Sequence, residues 1–115
     1  MADQSQNDLI DIDYFEKLKI KVGKVVSAET MEKSGKLLKL KVSLGDREKT
    51  ILSGIKKYYK PEELVGKKVV ILDNLKSAKM LGVDSEGMVL AAMDDDGNLS
   101  LLSLDKDLKE GSEIS

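Results

Sequence analysis

Lys36-Leu37-Leu38-Lys39-Leu40-Lys41-Val42-Ser43-Leu44-Gly45-Asp46 decides how this chain folds. Leu38, Leu40 and Val42 alternate with Lys39 and Lys41, a period of two that puts the apolar residues on one face of a strand and the lysines on the other. Gly45-Asp46 closes a hairpin, and Lys49 to Ile55 supplies the strand that returns. Upstream, Lys33-Ser34-Gly35-Lys36 reads as a turn. Before it, Ile20, Val22 and Val26 alternate with Lys19, Lys21 and Lys24, with Gly23 a bulge or a bend. These stretches predict three antiparallel strands with lysines on their outer face.

Working outward, Ile12 to Leu18 is expected to form a short helix, with Asp11 as N-cap, Asp13 in the first turn, and Phe15 and Leu18 pinning it to the body. Residues 56–66 form a connector holding the one proline, Pro61, which suits the first helical position with Glu62 and Glu63 behind it. A fourth strand runs from Lys68 to Leu75; its run Val69-Val70-Ile71-Leu72 implies cover on both faces. Asn74 to Asp84 reads as a long loop, Met88 to Met93 as a fifth strand, residues 94–98 as a turn and Leu99 to Leu104 as a sixth short strand. The order predicts an all-β protein: a five-stranded Greek-key OB-fold barrel with a short N-terminal helix, a short helix between strands 3 and 4, and a C-terminal extension. Residues 1–11 are expected to be a flexible tail and residues 12–115 the domain. The run Met88 to Met93 is apolar on both faces, so it needs cover from the same chain or a partner. The segment from Leu99 to Ile114 is placed to fold over the barrel and help make a two-fold interface.

Composition narrows the function. The chain has 115 residues, 41% of them hydrophobic and 35% charged, with neither cysteine nor histidine. Disulfides, Cys/His zinc sites and Ser-His or Cys-His nucleophiles are therefore excluded. No apolar stretch is long enough to span a membrane, and the polar start, Met1 to Asn7, lacks the basic and apolar regions of a secretory signal. The Gly-Lys pairs at 23, 35 and 66 lack the other residues of a phosphate loop. Asp94-Asp95-Asp96-Gly97, aligned as a calcium loop, has no acid at either end position, so it reads as a hairpin turn. A soluble, cytoplasmic domain without catalysis or cofactor is expected.

Charge is segregated along the chain. Residues 1–13 sum to −4, residues 14–82 to +9 and residues 83–115 to −7, inside an overall charge of −2. Sixteen of the 17 bases in the central segment are lysine, which suits phosphate contacts more than the bidentate reading of base edges. Lysines guarding sheet edges are the plain alternative. Their placement favours binding. OB barrels bind oligomers on strands 2 and 3 and on the loops joining strands 1–2 and 4–5. Lys33 and Lys36 fall in the first of those loops, Lys76 and Lys79 in the second, and Lys39 and Lys41 on strand 2.

Three motifs carry a resemblance: Ser34-Gly35-Lys36-Leu37-Leu38-Lys39-Leu40; Ser53-Gly54-Ile55 with Tyr58-Tyr59-Lys60-Pro61-Glu62-Glu63-Leu64 and Gly66; and Asn74-Leu75-Lys76, Lys79-Met80, Gly82-Val83, Ser85, Gly87-Met88 and Leu90-Ala91-Ala92. From about Ile12 to its end the chain resembles the tRNA-binding domain found at the C-terminus of bacterial methionyl-tRNA synthetases, as their beta subunit, and as a free-standing structure-specific tRNA-binding protein. The resemblance implies an OB-fold homodimer that binds tRNA by shape, aids a methionyl-tRNA synthetase catalytic chain and does no chemistry. Carried onto this chain, it implicates Lys36, Asn74, Lys76, Lys79, Met80, Ser85 and Met88. Ser77-Ala78 stands where the family often has Pro-Arg, which removes a cation from the second loop, and the usual Thr-Pro before Asp105 is missing.

The remaining candidates carry two readings each. Tyr58 and Tyr59 sit among Lys56, Lys57 and Lys60, where a base has room to stack, but adjacent tyrosines cannot both face one surface. Met80 either packs on a ribose or base or plugs the barrel mouth. Ser53 and Ser85 either hold phosphate or bond backbone. With four aromatics in the chain, recognition of a folded RNA through phosphates and 2′-hydroxyls fits better than single-strand stacking. Two other functions compete: a secretion-chaperone-like dimer that holds unfolded polypeptide, which shares this barrel, and a hydrolase, for which the chain offers little.

Overall fold

The computed structural model describes residues 8–115, so most of the expected tail, residues 1–7, lies outside the described residues. The chain is mostly β, as expected. Helix α1 (Ile12–Glu16) precedes strands β1 (Ile20–Thr30), β2 (Leu38–Ser43) and β3 (Glu48–Ser53). Helix α2 (Pro61–Leu64) links them to β4 (Lys68–Leu72). Six short strands follow: β5 (Ala78–Met80), β6 (Val83–Ser85), β7 (Met88–Val89), β8 (Ala91–Met93), β9 (Leu99–Leu101) and β10 (Glu113–Ile114).

The main sheet runs β3-β2-β1-β4-β7, all antiparallel, and curls until the residue before Gly87 meets β3: Glu86 N donates to Thr50 O at 2.8 Å. The result is a nearly closed five-stranded barrel of OB type. The close approach explains Gly87, since a Cβ there would lie 2.9 Å from the carbonyl oxygen of Leu72. Inside lie Val25, Leu38, Leu40, Val42, Ile51, Val69 and Ile71, with Ile55 and Leu64 at one mouth. The alternation read from β2 therefore holds. Leu64 is delivered by α2, which starts at Pro61 and ties its first turn with Lys60 N donating to Glu63 Oε1 at 2.7 Å.

Three expectations need correction. Strand β1 does not keep one period: its register against β2 shifts between Val25 and Ser27. Val25 enters the core, Val26 is exposed, and Val22 is buried outside the core cluster, paired with Val70. The connector accounts for the break, because Gly66 N donates to Val25 O and Val25 N to Lys67 O. Val70 confirms that β4 is covered on both faces. The run Met88 to Met93 is not one strand. It breaks at Leu90, which bonds to Val70 and Leu102, and its second half pairs with β9 as a separate hairpin turned by Asp94. Helix α1 buries no residue, and Leu18 is exposed. Asp11 occupies the N-cap position without a side-chain bond; its carbonyl accepts from Tyr14 N.

The C-terminal extension does fold back. Residues Gly111 and Ser112 bond to Val22, and Glu113–Ile114 pairs with Ile20–Lys21. Among the described residues no helix is long and apolar enough to cross a membrane.

Candidate nucleic-acid interface

Two loops meet at one end of the β1–β2–β3 sheet. In the first, the Ser34 hydroxyl accepts from the backbone N–H groups of Lys36 and Leu37, at 3.1 and 2.9 Å. This local serine turn bends the chain tightly and leaves Lys33 and Lys36 exposed. In the second, the expected long loop contains the β5–β6 hairpin. Its tip is Leu81-Gly82, both with positive φ (51° and 80°), the backbone a two-residue hairpin turn requires. Glycine marks that turn; leucine, an uncommon residue at positive φ, hides it.

The hairpin lies along β3, where the buried Ser85 hydroxyl accepts from Leu52 N at 3.0 Å. Its tip reaches toward the first loop and leaves a groove of about 300 Å³, lined by residues 29–32, Lys33 and Lys39 and, from the hairpin, by Leu81 and Val83, so that Glu29 and Glu32 stand in it beside the two lysines. Lys39 also borders a second hollow of about 130 Å³ with Lys41 and Thr50. Glu29 pairs with Lys39 at 3.6 Å, but both side chains reach solvent, so the pair holds Lys39 weakly.

The candidate residues divide by position. Lys33, Lys36, Lys41, Lys76 and Lys79 are exposed and Lys39 is half-buried; Lys33 and Lys39 share the groove. Met80, next to Lys79 on β5, and Ser53, at the end of β3 opposite Leu38, are half-buried. Met88 is exposed on β7, next to β4, and does not line the groove. Asn74 is used at the base of the second loop: its Oδ1 accepts from Lys19 N at 2.9 Å and its Nδ2 donates to Lys17 O at 2.7 Å. Ser85 is likewise engaged, with Leu52 N and the carbonyl of Gly87. Tyr59 turns inward, its hydroxyl accepting from Leu101 N at 3.0 Å, while Tyr58 is exposed.

Sequence reasoning missed the residue that roots the second loop. Asp73 is 7% exposed and faces three cations. Lys49 Nζ lies 2.6 Å from Oδ1, Lys21 Nζ 3.4 Å from Oδ2, and Arg47 forms an ion pair with Oδ2. Lys49 also donates to the carbonyls of Asp73 and Glu86. Burial pushes the Asp73 carboxyl up; hydrogen bonds from Lys49 and Arg47 outweigh it and hold the group below the usual carboxylate range. The hydrogen bond to Asp73 in turn raises Arg47. Strands β1 and β3 and the β2–β3 turn thus converge on the residue where β4 ends. The signal was a carboxylate directly after an apolar strand, and only the fold brings its partners to it.

Among the described residues no three His, Cys, Asp or Glu side chains are grouped to hold a metal. The arrangement offers exposed lysines on and beside a groove whose lining also holds Glu29 and Glu32.

Comparison with known proteins gives the family. Residues 20–113 match the family model described as "Putative tRNA binding domain". The chain is 63% identical over 105 residues to a methionine–tRNA ligase of Methanocaldococcus jannaschii, covering 91% of this chain and 16% of that one. It is 52% identical over 114 residues to that of Deinococcus radiodurans, covering 98% and 17%. The chain thus spans about a sixth of the length of these ligases. Among solved structures, the MetRS-related protein of Pyrococcus horikoshii superposes with a TM-score of 0.88 at 40% identity, covering 93% of this chain and 98% of that one. The chaperone CsaA of Bacillus anthracis superposes with a TM-score of 0.84 at 28% identity, covering 93% and 99%. The chain belongs to the tRNA-binding-domain family.

Proposed function

We propose that the chain binds folded tRNA by shape and phosphate contacts, as a non-catalytic module that serves methionyl-tRNA synthetase, as its beta subunit or in trans. One observation supports this reading: the β1–β2 loop and the tip of the β5–β6 hairpin meet at a groove that Lys33 and Lys39 line with Glu29 and Glu32, and Lys36, Lys41, Lys76 and Lys79 stand exposed outside it. On this reading, Lys33, Lys36, Lys39, Lys41, Lys76 and Lys79 bind phosphate, Met80 and Ser53 flank the contact, and Asn74 and Ser85 hold the second loop in place. Met88, exposed on β7 outside the groove, belongs to the protein surface that meets a second copy. The ligases to which the chain is similar act on tRNA, which supports the partner and a place in the cytoplasm.

Homodimerisation is part of the proposal. Ile12, Tyr14, Leu18, Met88 and Met93 are each at least 44% exposed. A groove of about 370 Å³ runs between α1 and β10, floored by Phe15, Ile20 and Ile114. Exposed apolar residues of this size support an interface. Two copies double the lysine surface offered to one RNA.

A second reading has its own support: the same exposed apolar groove and the likeness to the chaperone CsaA suit an unfolded polypeptide. Parallel titrations with bulk tRNA and with an unfolded polypeptide decide between them. Saturable binding of tRNA at lower concentration than polypeptide is expected; the reverse order refutes the tRNA reading.

A further inference from the structure

We propose that the RNA-binding surface extends across the β1–β2 loop onto the connector 56–60, where Lys57 and Lys60 bind phosphates and Tyr58 stacks on an unpaired base of the same RNA. This inference rests on the tRNA reading and enlarges its footprint. The loop and the connector are one surface. Lys56 N donates to Lys36 O at 3.2 Å, and Lys56 Nζ donates to Ser34 O at 3.1 Å. The nine residues 33–36 and 56–60 hold five lysines and no acid. Lys33, Lys36, Lys57 and Lys60 are exposed, and among the described residues no carboxylate forms an ion pair with any of them. Four unpaired ammonium groups on two joined segments repel one another and gain from a polyanion. The nearest acids in sequence, Glu32, Glu62 and Glu63, lie at the margins, and Glu63 is turned to the backbone of Lys60.

The paired tyrosines have opposite fates, and this gives the patch its aromatic face. Tyr59 is anchored to Leu101 N and packs on the core, with Lys67 Nζ 5.9 Å from its ring centre. Its neighbour Tyr58 is therefore turned outward and is 38% exposed, between Lys57 and Lys60. A ring flanked by cations matches the chemistry of a base flanked by phosphates. A bare phosphate track has no use for the ring.

The test measures binding of labelled bulk tRNA by anisotropy from 50 to 200 mM salt, for the wild type and for Lys36→Ala, Lys57→Ala, Lys60→Ala, Tyr58→Ala and Tyr58→Phe. Thermal unfolding of each variant checks that the fold is kept. Lys57→Ala and Lys60→Ala should each loosen binding and reduce the salt slope by about 0.7–0.9. Tyr58→Ala should loosen it at least about fivefold without changing the slope, and Tyr58→Phe should restore it. If Lys36→Ala weakens binding and the three connector truncations stay within about twofold of wild type, the extension is wrong and the tRNA reading stands. If the wild type does not bind tRNA, both fall.

Discussion

Replacing Asp73 by Asn tests the root of the second loop. The change keeps the shape and one acceptor but removes the charge that three cations share. Lys49 and Lys21 have side chains only 17% and 24% exposed, so neither is fully rehydrated in place; Arg47, 41% exposed, is. Breaking a buried ion pair costs about 3–5 kcal/mol, mostly from the charge left behind. With one of three partners solvated and an acceptor retained, the lower end applies, about 3 kcal/mol. For a domain of this size that is a fall of roughly 10–15 °C in Tm. The assay is thermal unfolding by circular dichroism at pH 7, with Asp95→Asn in the exposed β8–β9 turn as a control that should not move. A shift below about 3 °C for Asp73→Asn would refute the argument, since the cations would then need no carboxylate.

The pH dependence follows from the same residue. The Asp73 carboxyl titrates below its unfolded value of about 3.9, so its contribution is complete above about pH 5 and is lost as pH falls through the lower, folded value. Acid unfolding followed from pH 6 to 2 should therefore show a stability loss below about pH 4 that Asp73→Asn largely lacks. Lys36→Ala and Lys79→Ala should each weaken tRNA binding by a similar factor for every tRNA species tested in gel shifts. Weakening confined to one species would mean bases are being read. Ser85→Ala leaves the buried N–H of Leu52 without its partner, which costs about 1–3 kcal/mol in denaturant unfolding. It should also loosen tRNA binding by freeing the hairpin that carries Lys79.

The barrel was legible because its period is plain. Leu38, Leu40 and Val42 alternate without exception, and Pro61 and the Gly45-Asp46 turn mark where elements end. What was hidden depends on tertiary contact. Nothing local says that Val25 replaces Val26 in the core; the connector's bonds to Val25 decide it. The β5–β6 hairpin was missed because Leu81 occupies a turn position at which pattern reading expects glycine or asparagine. The lysines of the candidate face were legible as a charge pattern. Asp73 was not, because its partners come from positions 21, 47 and 49 and meet only when the sheet curls. Asn74 and Ser85 stood out in the sequence, and the structure shows their polar atoms bonded to backbone groups of the fold.

The central claim is that lysines of two loops grip the RNA backbone at one face. The direct measurement is the slope of log affinity for bulk tRNA against log salt, taken for the wild type and for a variant with Lys33, Lys36, Lys39 and Lys79 all changed to Ala. The six phosphate-binding lysines give the wild type a fall of roughly 10³ in affinity between 50 and 200 mM salt, and the variant should lose about three units of slope. A variant as salt-dependent as the wild type would place the contacts elsewhere and contradict the account.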